Sequence, residues 1–111
     1  MTRRWISFDY EVTNKEFAAL PVEDRQSLFK AMKAYGEVAE SGFVVKDYRG
    51  GLYMLKPTNR TQGRCLFFRK VKKSDSETLV ALLIYKKESL EVLRNILATA
   101  KQRLATSEEG K

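Results

Sequence analysis

The 111-residue chain has no histidine and a single cysteine. Without imidazole, zinc sites built on histidine, serine–histidine–aspartate triads and the histidine pair of secreted ribonucleases are all excluded. Any acid–base chemistry falls to lysine, tyrosine, arginine or carboxylates. A lone Cys65 cannot close an intrachain disulfide, so a reducing interior is the default compartment. Lying between Arg64 and Leu66 in an apolar run, it reads as a packing residue and not a nucleophile. Long hydrophobic runs are missing too: the longest, Leu79 to Tyr85, is far too short to cross a bilayer. Two arginines precede Trp5 with no apolar stretch behind them, so no secretory signal is expected and a cytoplasmic location is. There is no internal repeat and no low-complexity tract. With 43% apolar and 32% charged residues, the expectation is one globular domain over residues 1–111.

Acidic residues are scarce in one place above all. From Lys46 to Lys73 the chain carries nine cations (Lys46, Arg49, Lys56, Arg60, Arg64, Arg69, Lys70, Lys72, Lys73) and one carboxylate, Asp47, a net +8. The whole chain is +7, so everything outside this stretch sums to −1. Tyr48, Tyr53, Phe67, Phe68, Leu52, Leu55, Leu66 and Val71 are interleaved with the charges, which a polybasic tail would lack. Cations mounted on strands with aromatics between them suit a polyphosphate ligand.

Residue patterning predicts the elements. Trp5 to Val12 alternates with a period of two, as a half-covered strand does. Thr13 with Glu16 three residues on has the form of a capping box opening a short helix through Phe17 and Leu20. Pro21 suits the first turn of a second helix, with Leu28, Met32, Tyr35 and Ala39 as its apolar stripe and Gly42 as its stop. Gly36 within it costs about 1 kcal/mol relative to alanine, which favours a kink or a shorter helix. Strands are expected at Leu52–Lys56, Arg64–Lys72 and Thr78–Lys86, with Pro57–Gly63 and Lys73–Glu77 as turns. The third of these strands is apolar on both faces, as for a central strand covered on each side. Leu90, Leu93, Leu97, Ala100 and Leu104 predict an amphipathic helix, followed by a frayed tail at 106–111. The expected fold is α+β: a small antiparallel sheet of about four strands with helices packed on one face, in the order βααβββα.

Strand alternation then groups the side chains. Arg64, Leu66 and Phe68 oppose Cys65, Phe67 and Arg69; Met54 and Lys56 oppose Tyr53 and Leu55; Ala81, Leu83, Tyr85 and Lys87 oppose Val80, Leu82, Ile84 and Lys86. If helices cover one face, the other gathers Lys56, Arg64 and Tyr85 or Lys87. The plainer reading makes these solvated or snorkelling cations at strand ends. Against it stands the repulsion among so many like charges without nearby carboxylates.

The segments VVKDYRGGLYMLK, GRCLFF and LVALLIYKKE, leading into a helix that ends AKQRL, resemble the RelE/HigB family of toxins from type II toxin–antitoxin systems. The likeness runs over nearly the whole chain and is nearest to the phage-associated HigB-like branch. It implies a metal-independent endoribonuclease that cuts messenger RNA in the ribosomal A site and so stops translation. It also implies inhibition by a cognate antitoxin, expected to be a small helix-turn-helix protein, and a monomer or dimer when free. By the same resemblance, Lys56 ends the first site strand, Arg64 contacts the scissile phosphate, and Lys86 and Lys87 close the last strand. Lys46 and Arg49 hold RNA backbone, and Arg60 and Arg69 join them as RNA-binding candidates. Three positions depart from the family pattern. Met54 replaces a polar or basic residue, Gly63 a tyrosine, and Leu93 the cleavage tyrosine of RelE itself, for which Tyr85 is a possible substitute.

RNA cleavage by its own 2′-hydroxyl needs a base, cations for the charge on phosphorus, and an acid for the leaving 5′-oxygen. A free lysine has a pKa of about 10.4, which crowding by like charge lowers, so Lys56 is the candidate base. Arg64, with its planar fork, would clamp phosphate; Lys87 or Tyr85 would be the acid. Two other readings remain open: a ParE-like, non-nuclease inhibitor of DNA gyrase, and a non-catalytic RNA- or DNA-binding module.

Overall fold

The computed structural model describes residues 5–37, 41–71, 77–87 and 90–109, apart from the side chains of residues 70–71, 77–78, 90–93 and 106–109. Ala39, Lys72, Lys73 and residues 74–76 of the expected hairpin loop lie outside the described residues. So do the side chains of Lys70, Leu90 and Leu93. The elements are β1 (Ile6–Ser7), α1 (Glu11–Ala19), α2 (Val22–Gly36), β2 (Phe43–Asp47), β3 (Leu52–Pro57), β4 (Gly63–Val71), β5 (Glu77–Lys86) and α3 (Leu90–Glu109). The fold is α+β, with three helices and a curled sheet among the described residues. No helix among the described residues is long and apolar enough to cross a membrane.

The sheet has five strands, not four, in the order β1-β5-β4-β3-β2. The strand absent from the sequence reading is β2. Only its Phe43 and Val45 are partly buried, while Val44 and Lys46 on its other face are exposed, so it gives a weak edge-strand signal. Antiparallel ladders join β2, β3, β4 and β5, and β1 lies parallel to β5 through Ile6–Leu79 and Ser7–Val80. β1 is far shorter than its alternating pattern predicts. The chain leaves the sheet after Ser7 so that Phe8 can meet Phe17 of α1 edge-on, ring centroids 5.6 Å apart, and the helix has begun by Glu11.

The capping box is not formed. Thr13 is fully buried, its hydroxyl donating to the Tyr10 carbonyl at 2.7 Å, and Glu16 faces the sheet. Helix α2 is the shorter of the two forms Gly36 allows. It starts after Pro21 and ends at Gly36, over which the Trp5 indole lies so closely that a Cβ there would clash with its ring. At the other end of the chain, α3 continues to Glu109 and takes in most of the expected frayed tail.

Both faces of the sheet are covered. On one, α1 and α2 bury Leu20, Leu28, Met32 and Tyr35 against Leu55, Cys65, Phe67, Leu79, Ala81 and Ile84. On the other, Ala100 of α3, with Leu97 and Leu104, packs on a cluster that includes Leu66, Val80, Leu82 and Leu83. The expectation of helices on one face is therefore corrected: the apolar stripe of α3 closes the second face of β5 while α1 and α2 close the first. Core side chains of this size each contribute about 1.5–3 kcal/mol when fully buried. Cys65 is fully buried among them, and burial pushes its thiol pKa up.

The register slips once. Leu66 pairs with Leu83 but Phe67 pairs with Ala81, so Leu82 is an extra residue in β5. This bulge breaks the alternation read from the sequence: Ala81 joins the α1/α2 face while Leu82, Leu83 and Tyr85 all turn to the α3 face. Two polar groups of β5 beyond its short pairing with β1 are satisfied by side chains. The Ile84 N–H donates to Glu16 Oε1 at 3.1 Å, and the Leu82 carbonyl accepts from Arg103 Nη1 at 3.1 Å. Arg103 Nη1 also lies 3.0 Å from Glu16 Oε2, so one ion pair ties α1, β5 and α3 together.

Glu16→Ala should lower unfolding stability by about 2–3 kcal/mol, because it strips the Ile84 N–H and Arg103 of a charged acceptor. Glu16→Gln, which keeps an oxygen for Ile84, should cost about half as much. Urea unfolding midpoints of the three proteins measure both.

Candidate functional site

β3 presents Leu52 and Met54 to the α3 face, and Lys56, two positions on, follows them by alternation. Cross-strand pairing adds Val44 opposite Lys56 and Lys46 opposite Met54. On the far side of β3, Arg64 of β4 pairs directly with Tyr85 of β5. At this end of the strands the ladders thus place Lys46, Lys56, Arg64 and Tyr85, four of the sequence candidates, on the α3 face, with Tyr85 in the same cluster as Ala100, Leu97 and Leu104 of α3. Tyr48, from the turn after β2, packs on the same cluster, with Lys46 Nζ 5.8 Å from its ring centroid.

Arg64 is only 7% exposed. Its Nη1 donates to the carbonyls of Thr61, at 3.0 Å, and Gly63, at 2.9 Å. Those bonds hold one corner of the guanidinium against the strand. Burial lowers its pKa below the usual guanidinium value, opposed by Tyr85, Asp24 and Tyr48, and it stays a cation. Tyr85 is 8% exposed and its pKa is pushed up to about 12, by burial first and by Tyr48 next, with Arg64 pulling the other way. At neutral pH it is a protonated hydroxyl, able to donate a hydrogen bond but a weaker acid than free tyrosine.

The other candidates lie elsewhere. Lys86 turns to the α2 side, where its Nζ is 4.0 Å from Asp24 Oδ2. Lys87 follows β5 with an exposed side chain, its backbone N–H donating to the Gln62 carbonyl at 2.8 Å. Arg49 is exposed in the β2–β3 turn at φ 70°, its N–H bound by the Asp47 carboxylate, and Arg60 is exposed in the loop before β4. Arg69 is exposed toward the other end of β4 and pairs in register with Leu79. Of the three family departures, Met54 is buried in the floor of the face. Gly63 has a local reason: a Cβ there would stand 2.9 Å from the Asp24 carbonyl oxygen and 3.3 Å from Leu28 Cβ.

Two participants were missed. Tyr48 was noticed only as an aromatic in the basic stretch. Asp24, 7% exposed, accepts the Gln62 N–H at 2.8 Å, which corrects the expectation that no carboxylate lies near the cations. Its signal was available: Asp24 precedes Leu28, Met32 and Tyr35 at spacings of 4, 4 and 3, a carboxylate on the buried stripe of α2.

On the opposite face, Trp5, Ile6, Phe8, Phe17, Phe29 and Met32 line a groove of about 440 Å³. Among the described residues, Asn14 and Lys33 are its polar lining residues. Its lining is mostly apolar, so the Arg64 face, where charged and hydroxyl groups meet, is the candidate site. Among the described residues, no group of three or more metal-ligating side chains could hold a metal ion. The domain is thus an α+β sheet protein with Lys46, Lys56 and Arg64 beside Tyr48 and Tyr85 on one face of the sheet. The chain matches no family model and no curated protein.

Because the folded state holds the Tyr85 proton more tightly than the unfolded chain, this group's stabilisation is complete below about pH 10. It is lost as pH rises toward about 12. Wild type should therefore lose more stability than Tyr85→Phe between pH 9 and 11, read as the difference in urea midpoints. Gly63→Ala should destabilise the fold by about 1–3 kcal/mol, since the new methyl meets helix backbone; a thermal melt checks it.

Proposed function

We propose that the Lys46–Lys56–Arg64–Tyr85 face binds the ribose-phosphate backbone of RNA. On this reading the protein is the toxin of a toxin–antitoxin pair, a cytoplasmic, ribosome-dependent endoribonuclease that cuts messenger RNA in the A site. The observation that carries the reading is the meeting of Arg64 with Tyr85 across one ladder position, with lysines from β2 and β3 on the same face. The α+β fold agrees with what the family resemblance implies. In the reaction, Lys56 takes the 2′-hydroxyl proton, and Arg64 and Lys46 stabilise charge on the phosphate. Tyr85 donates a hydrogen bond to the phosphate and protonates the leaving oxygen. No metal enters the scheme. A small helix-turn-helix antitoxin would silence the protein by covering this positive face.

A second reading, RNA holding without cleavage, is favoured by a specific observation. Arg64 is tethered to two carbonyls and Tyr85 is a weakened acid, and both suit binding better than proton transfer.

Induced expression with 5′-end mapping of transcripts separates the readings. Wild type should arrest growth and leave codon-related cuts, and Arg64→Ala and Lys56→Ala should each reduce cutting by about 100-fold or more. Arrest with intact transcripts and trapped gyrase complexes would replace the proposal with gyrase inhibition. RNA binding without cuts would leave the holding role.

A further inference from the structure

We infer that Asp24 is the positioning residue for Arg64, acting as its counter-charge through the single peptide group that joins Thr61 to Gln62. The N–H of that peptide donates to Asp24 Oδ1 at 2.8 Å, and its carbonyl, on Thr61, accepts from Arg64 Nη1 at 3.0 Å. A carboxylate on one side and a guanidinium on the other therefore polarise the same amide in the same sense. Each hydrogen bond strengthens its neighbour in such a chain, most of all where water is thin. Both end groups are 7% exposed.

The rest of the mount is built around this relay. The next carbonyl, of Gln62, is held by the Lys87 N–H at 2.8 Å, and that of Gly63 takes a second bond from Arg64 Nη1. Asp24 meets the segment twice, with its carboxylate at Gln62 and with its backbone carbonyl against the bare Cα of Gly63. Ser27, on the same helix, receives a bond from Asn59 at 3.0 Å and docks the other end of the loop. Asp24 also stabilises the charged form of Arg64. It stands in the first turn of α2, where a carboxylate is favoured by the helix dipole. Helix α2 thus reaches from behind the sheet to fix a cation on its front.

The functional arm of this inference rests on the RNA-binding reading above; its spectroscopic arm does not. Asp24→Asn keeps an oxygen for the Gln62 N–H and removes only the charge, whereas Asp24→Ala removes both. Binding of a fluorescein-labelled single-stranded RNA oligonucleotide, followed by anisotropy, should weaken about fivefold in Asp24→Asn. In an Arg64→Gln background the same change should have no further effect. The Arg64 guanidinium resonances in ¹⁵N spectra should show slow rotation in wild type and averaging in Asp24→Asn. Additive losses in the double-mutant cycle, or guanidinium signals unchanged in both Asp24 variants, would overturn the relay. If wild type binds no RNA, the RNA reading of the site falls, and the guanidinium spectra alone decide the relay.

Discussion

An ion pair, Glu16 with Arg103, stands in for the partner strand that β5 lacks beyond Val80. The edge of a strand exposes backbone donors and acceptors that cost free energy if left dry and invite foreign pairing if left wet. Here the bulge residue Leu82 offers its carbonyl to Arg103, and Ile84 offers its N–H to Glu16. Glu16 comes from a helix on one face of the sheet and Arg103 from a helix on the other. A single contact therefore closes the edge and holds both layers in place. Each charge has a partner and a backbone bond, which makes a partly buried ion pair tolerable.

The functional face depends on that clamp indirectly. The bulge at Leu82 puts Leu82, Leu83 and Tyr85 all on the α3 side, so α3 has an apolar bed and Tyr85 lies beside Arg64. The same face carries Lys46, Lys56, Arg64 and Tyr85, with Tyr85 in the cluster that Ala100, Leu97 and Leu104 pack on. Concentrating cations on one face is a repulsive arrangement, and the chain offsets part of it locally. Asp24 serves the Gln62 amide and lies within reach of Lys86, and Asp47 binds the Arg49 N–H. The Arg64 fork itself is held by the carbonyls of Thr61 and Gly63.

Much of this was legible in the residues. β3, β4 and β5 were read within a residue or two, because their apolar content and turn signals are strong. The pairing of Lys56, Arg64 and Tyr85 on one face followed from alternation alone. β2 was lost because an edge strand buries little and so carries little pattern. β1 was overdrawn because its alternation continues into residues that leave the sheet for α1. Glu16 fitted a capping box so well by spacing that its long-range bond to Ile84, 68 residues away, had no local trace.

The sequence by itself determined the class of fold, the faces of β3 and β4, the lack of imidazole chemistry and the gathering of positive charge into one segment. These are properties of spacing and composition, and they act over a few residues. Only the tertiary structure decided that α3 lies across the face opposite α1 and α2, and that an extra residue shifts the phase of β5. It alone brought Asp24 to the loop that holds the arginine. Such outcomes depend on which distant groups satisfy one another's buried hydrogen bonds, and that is settled when the layers pack, not by the order of residues along any one element.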